Sequence, residues 1–155
     1  MNMATTNVRR IFVDTNVLTR ATIDAAPLHR EARTLLDKLW DEGAELSISH
    51  QVLREYIANA TRPQTYSPSL PMEAVLAQVE DFHKTFHILP DSPAVLARFL
   101  ELVRKVSVGG KQVHDANIVA TMLAYDLEEL LTNNVKDFER FQSYIRVIPL
   151  VEETS

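Results

Sequence analysis

The stretch RRIFVDTNVL, residues 9–18, decides the fold. Ile11, Phe12 and Val13 form a short unbroken apolar run, the pattern of a strand covered on both faces, as in a parallel sheet with helices above and below. Asp14, Thr15 and Asn16 then supply a carboxylate, a hydroxyl and an amide in succession. A strand ending so abruptly in polar groups presents them at the carboxyl edge of the sheet, where open α/β sheets bind their ligands.

The rest of the chain repeats this alternation of strand and helix. After the first strand, Leu28, Ala32, Leu35, Leu36 and Leu39 recur at helical spacing, with Pro27 suited to the first helical turn and Gly43 to the end. ELSIS (45–49) reads as a second strand, and Ser49 as N-cap of a helix HQVLREYIANA. Residues 61–71, with three prolines, form a loop. Met72, Val75, Leu76, Val79 and Phe86 mark the next helix, which leads into a strand HIL. Ser92 and Pro93 then open a helix with Leu96, Phe99, Leu100 and Val103 as its expected buried face. Gly109 and Gly110 lead into a helix bearing Ile118, Val119, Met122 and Leu123. ELL (129–131) is a strand running into Thr132, Asn133 and Asn134; VKDFERF is a short helix and IRVIPL a last strand. Strands alternating with helices predict a parallel or mostly parallel sheet with helices on both faces.

The chain of 155 residues is long enough for one domain with a full core and too short for two comfortable ones. No apolar run approaches the roughly 18 residues of a membrane span, and the leading MNMATTNVRR lacks the apolar core of a secretory signal. We therefore expect a protein with no membrane partner. The absence of cysteine excludes disulfides and thiolate metal sites and fits a cytoplasmic protein. A net charge of −5 argues against broad electrostatic wrapping of nucleic acid. Acids gathered around a cation would lower the formal charge without repelling a polyanion as strongly.

Taken singly, each acid has an ordinary explanation. Asp115 suits the positive end of a helix, an effect of roughly 0.3–1 kcal/mol, although Ile118 and Val119 place its side chain along a buried face. Glu55 is also accounted for as a solvated helical residue, and Asp137 as a cap for the short helix. Convergence is another matter: two carboxylates about 5 Å apart repel by roughly 3 kcal/mol at an effective dielectric of about 20. Several meeting at one sheet edge need protons or a cation, and hard divalent cations such as Mg²⁺ or Mn²⁺ take oxygen ligands.

FVDTNVL with Asp14, VLREYI with Glu55, HDANIVATM with Asp115 and LTNNVKDF with Asp137 resemble, in order and spacing, the motifs of PIN-domain ribonucleases. They are most similar to the VapC-type toxins of bacterial toxin–antitoxin pairs. The resemblance runs from about residue 10 to about residue 149. It implies a PIN-like three-layer α/β/α fold in a single domain over 1–155, and a metal-dependent endoribonuclease hydrolysing RNA phosphodiester bonds. It further implies that Asp14, Glu55 and Asp115 hold Mg²⁺ or Mn²⁺, that Asp14, Glu55, Asp115 and Asp137 are catalytic, and that Thr15, Asn16 and Thr132 orient ligands. An antitoxin and a second copy of the chain are the partners expected beside RNA, and an apolar groove on helices 28–40 and 51–60, near Trp40, would serve them. Many family members carry an Asp two residues after the Thr. Asn134 stands there in this chain, so Asp137 is the nearest carboxylate and is expected to act through water.

Arg54, Arg62 and Lys111 flank these acids or the proline loop as candidate phosphate contacts, with plain surface charge as the alternative. His114 could reach substrate, and the other four histidines share no zinc-like spacing. Two other functions compete. A PIN-like binding module without cleavage is one. The other is a haloacid-dehalogenase-type phosphatase, whose first motif FVDTNVLT resembles, but that chemistry requires a second Asp where Asn16 stands.

Overall fold

Five strands pair side by side, all parallel, in the order β3-β2-β1-β4-β5. The computed structural model describes residues 7–152; the first six residues of the leading segment read for a targeting signal lie outside them. The elements follow as β1 (Arg10–Val13), α1 (Thr15–Thr22), α2 (His29–Asp41), β2 (Glu45–Ser49), α3 (His50–Ala60) and α4 (Met72–Thr85). They continue with β3 (His87–Leu89), α5 (Pro93–Lys105), α6 (Gln112–Ala124), β4 (Glu129–Thr132), a 3₁₀ helix (Val135–Phe141) and β5 (Arg146–Pro149). Right-handed crossovers carry α1–α4 over one face as the chain moves from β1 to β3, and α5, α6 and the 3₁₀ helix over the other as it returns. The expected three-layer α/β/α architecture is the observed one, and its sheet is wholly parallel.

The core lies where both helical layers meet the central strands. Ile11, Phe12, Val13, Leu130 and Leu131 are fully buried, as a strand covered on both faces demands. On one side they meet Val17, Leu18, Val52 and Tyr56; on the other, Ile118, Val119 and Met122.

Four expectations need correction. The helix α1 was not read from TNVLTRAT, whose β-branched residues are weak helix formers. It forms because Asp14 caps it, with Oδ1 accepting from Thr15 N–H at 2.8 Å, and because Val17, Leu18 and Ala21 are buried. Pro27 does not occupy the first turn of α2: Leu28 intervenes at φ 63°, and the helix begins at His29. Met72, Leu76, Leu96 and Leu100, expected inside, are 46–59% exposed. The buried residues of α4 and α5 are Val75 with Phe82 and Val95 with Leu102, each pair two turns apart. Such a stripe is narrow, as suits a helix packed along a single neighbour rather than across a sheet, and α5 packs along α6. Finally, the apolar cleft at Trp40, about 300 Å³, is formed by α1, α2 and α4 through Leu18, Leu36, Phe82 and Phe86, without α3. Among the described residues no helix is long and apolar enough to cross a membrane.

Candidate acidic active site

The connections leaving β1 and β4 run to opposite faces, so the sheet has its topological switch point between these neighbours. Ligand crevices of open α/β sheets form there, beyond the carboxyl ends of the strands. Asp14 follows β1 at this point and Thr132 ends β4 beside it.

Asp14 is buried yet well supplied with donors. Its backbone N–H continues the sheet by donating to Leu131 O at 3.0 Å. Its Oδ2 accepts from Thr132 Oγ1 at 2.8 Å and from Asn16 Nδ2 at 3.0 Å, while Oδ1 takes the Thr15 N–H. Asn16 also donates to Thr132 Oγ1 at 3.1 Å and accepts from Asn133 N–H at 2.9 Å. Thr132 Oγ1 receives the Asn134 N–H at 3.0 Å. The polar residues after β1 and β4 thus form one hydrogen-bonded unit. Thr15 extends it to α3 by donating from Oγ1 to Glu55 Oε1 at 3.3 Å.

Asp115 and Asp137 join this unit through their electric fields. Burial pushes the Asp115 carboxyl up to about 6, and the charges of Asp137, Asp14 and Glu55 push the same way. Burial likewise raises Glu55, helped by the charge of Asp14, and the hydrogen bonds of Thr15 and Gln51 and the charge of His114 only partly offset it. Asp14 is raised chiefly by burial, against its three hydrogen bonds, with Asp137 adding to the rise. Acids from the end of β1, α3, α6 and the 3₁₀ helix therefore act on one another at one edge of the sheet. Neither Asp137 nor Asn134 is buried; both line a polar cleft of about 330 Å³ with Asn133, Lys136 and Pro149.

The flanking cations are placed differently. Arg54 is exposed and pairs with Asp91 at 3.2 Å, and Arg62 donates to Asn59 Oδ1 at 2.8 Å. Lys111 is exposed at the start of α6, and His114 is exposed one turn later.

Among the described residues, no three His, Cys, Asp or Glu side chains stand close enough together to form a ready coordination sphere. The donor set nonetheless fits a hard divalent cation. Mg²⁺ is usually held by one or two carboxylates and keeps several waters. An ionised carboxylate offers about four acceptor positions, so Asp14 retains capacity after its three hydrogen bonds. A cation would also relieve the repulsion that raises Glu55 and Asp115.

Two site-edge residues escaped the sequence reading, Gln51 and Asn117. The buried Gln51 of α3 donates to His114 O at 3.0 Å and accepts from Asn117 Nδ2 at 2.7 Å, joining α3 to α6. The available signal was their position, one turn before Glu55 and two residues after Asp115.

Comparison with known proteins agrees with this geometry. The PIN domain family model matches residues 11–143. The chain belongs to the PIN domain family. A curated relative, "Ribonuclease VapC48" of Mycobacterium tuberculosis, is 24% identical over 131 residues, covering 83% of this chain and 90% of VapC48. Among solved structures, this PIN domain is similar to a chain of the VapBC2 complex of Rickettsia felis bound to a promoter DNA fragment. That match has a TM-score of 0.69 and 19% identity, and covers 90% of this chain and 98% of the other. A chain of a toxin–antitoxin complex from Klebsiella pneumoniae matches with TM-score 0.64 and 23% identity, over 92% and 99% of the two chains.

Proposed function

We propose that this PIN domain is a divalent-metal-dependent endoribonuclease, the toxin of a toxin–antitoxin pair, with Asp14, Glu55 and Asp115 as ligands of Mg²⁺ or Mn²⁺. The observation that carries the reading is the buried Asp14 carboxylate at the switch point of the sheet, held by Thr132, Asn16 and Thr15 and joined through the Thr15 hydroxyl to Glu55. Further support comes from the name of the ribonuclease relative and from the toxin–antitoxin assembly among the structural neighbours. The whole chain is read as one domain. An antitoxin and a second copy of the chain are its proposed protein partners, and the cytoplasm its compartment.

A divalent cation bound here supplies charge for a developing phosphoryl transition state and lowers the pKa of a water. The chain's own residues supply position. Thr132, Asn16 and the Thr15 N–H fix both oxygens of Asp14, and the Thr15 hydroxyl orients Glu55. Asp115 approaches from α6, and Asp137 acts from the rim through water. Asn134 offers a carbonyl oxygen without charge. Lys111, exposed at the start of α6, is assigned a substrate phosphate, whereas Arg54 must first leave Asp91.

The test is cleavage of total RNA with Mn²⁺, repeated with EDTA and with Asp14→Asn. Cleavage is expected to vanish with EDTA and to fall by roughly 10²-fold or more in the variant, since even the outer partners of metal ligands are worth 10–100-fold. Undiminished cleavage by Asp14→Asn overturns the mechanism. A binding module without cleavage is the second reading, favoured by Asn134 and, among the described residues, by the lack of a ready three-ligand sphere. It predicts no heat when Mn²⁺ is titrated at neutral pH. The phosphatase reading loses its support at Asn16, whose amide donates to Asp14 and Thr132 and has no acidic proton to deliver.

A further inference from the structure

We propose that Gln51 and Asn117 are positioning residues that fix the separation of Glu55 and Asp115, and so set the metal affinity of the site. The inference rests on the metal-dependent reading above. Glu55 lies on α3 and Asp115 on α6, and these helices belong to opposite layers of the sandwich. Nothing in the packing of either layer alone dictates how far apart their carboxylates stand. Thr15 ties Glu55 to the sheet, but no hydrogen bond connects the Asp115 side chain to Asp14, Glu55 or Thr132 among the described residues.

Gln51 makes the missing connection across the layers. It sits one helical turn before Glu55, so the two side chains share a face of α3. It is 6% exposed, and a buried amide requires partners for both its ends. Besides a hydrogen bond toward Glu55 on its own helix, it has two partners on α6: His114 O, directly before Asp115, takes an Nε2 hydrogen at 3.0 Å. Asn117 Nδ2, two residues after Asp115, donates to Oε1 at 2.7 Å. Asp115 is therefore bracketed on both sides by contacts to a single side chain. His114 O belongs to the first turn of α6, where Lys111 provides no side-chain cap and Gln112 accepts the Gly109 N–H, so Gln51 adds a bond from the opposite layer to those the turn makes locally.

The variant Gln51→Met keeps the length and much of the volume while removing both hydrogen bonds to α6. Mn²⁺ affinity by calorimetry is expected to fall tenfold or more, and kcat for RNA cleavage to fall more than KM changes. Activity should return toward wild type as Mn²⁺ is raised, in a variant shown to be folded without metal, since metal binding would also rescue a merely unstable fold. Asn117→Ala, which leaves the bond to His114 O, should move affinity in the same direction by about threefold and keeps the proposal testable if Gln51→Met does not fold. The melting temperature of each variant, taken without metal, reports folding separately. Folded Gln51→Met or Asn117→Ala with wild-type Mn²⁺ affinity overturns the proposal, whether or not RNA is cut. Wild-type protein that binds Mn²⁺ but cuts no RNA overturns the nuclease, while a weakened Gln51→Met would still support the clamp.

Discussion

Thr132 donates its hydroxyl hydrogen to Asp14 Oδ2 at 2.8 Å, although the two residues are 118 positions apart in the chain. Thr132 Oγ1 itself accepts the Asn134 N–H and an Asn16 amide hydrogen, so one hydroxyl organises three neighbours. Thr132→Val preserves the shape and removes all of these bonds. The variant is expected to lose about 1–3 kcal/mol of stability, the cost of leaving buried polar groups unpaired. Urea denaturation measures the loss, and a stability equal to wild type would contradict it.

Asp115 gives the metal-free protein a distinct pH dependence. Its folded carboxyl titrates at about 6, above the ordinary value of 3.8, so the native state holds a proton that the unfolded chain has released. The sign follows: this contribution is fully present below about 4 and is lost as pH rises to about 6. In EDTA, stability should therefore decline across that interval, and Asp115→Asn should flatten the decline. Mn²⁺ competes with the same proton, so its affinity should climb through pH 6. A metal affinity independent of pH between 5 and 7 would contradict the assignment of Asp115 as a ligand.

Glu129 offers a control at the opposite edge of the sheet. It is held by Arg9 Nε at 2.8 Å and by Arg146 at 2.7 Å, and these bonds keep its carboxyl below the usual range. Its contribution has the opposite sign from that of Asp115: present above the unfolded pKa and lost as pH falls through the depressed folded value. Glu129→Gln is expected to cost about 1.5–3 kcal/mol, as for hydrogen bonds to charged groups, with Mn²⁺ affinity unchanged. Calorimetry beside denaturation checks both halves.

Asn134→Asp restores a carboxylate at the rim. Its backbone N–H remains bonded to Thr132, so the local turn should persist. Mn²⁺ affinity is expected to rise about three- to tenfold, and stability without metal to fall slightly because a further like charge joins Asp14, Asp115 and Asp137. Unaltered affinity would mean that this position does not face the ion.

The strands and the acids were legible because each carries a strong local signal. Three apolar residues closed by Asp14 have few meanings, and Ser49 caps α3 by accepting from Val52 N–H as its position before the helix suggests. What stayed hidden depends on tertiary partners. The helix α1 is sustained by its burial and by the Asp14 cap, against the weak propensity of its threonines. The faces of α4 and α5 were misread because leucine spacing alone does not say whether a helix meets a sheet or a single neighbour. Gln51 and Asn117 were overlooked because an amide on a helix becomes informative only when the opposing helix is known. Asp137 is exposed beside the short helix, and its part in the site remains a proposal.

The 118-residue span between Asp14 and Thr132 also bears on synthesis. Thr15 N–H and the Asn16 amide are local partners of Asp14, but the Thr132 hydroxyl reaches it only when β4 pairs with β1. Contacts of such sequence separation close late and slowly in folding. On the ribosome, Asp14 therefore waits for its Thr132 partner until the segment carrying β4 has emerged and paired with β1.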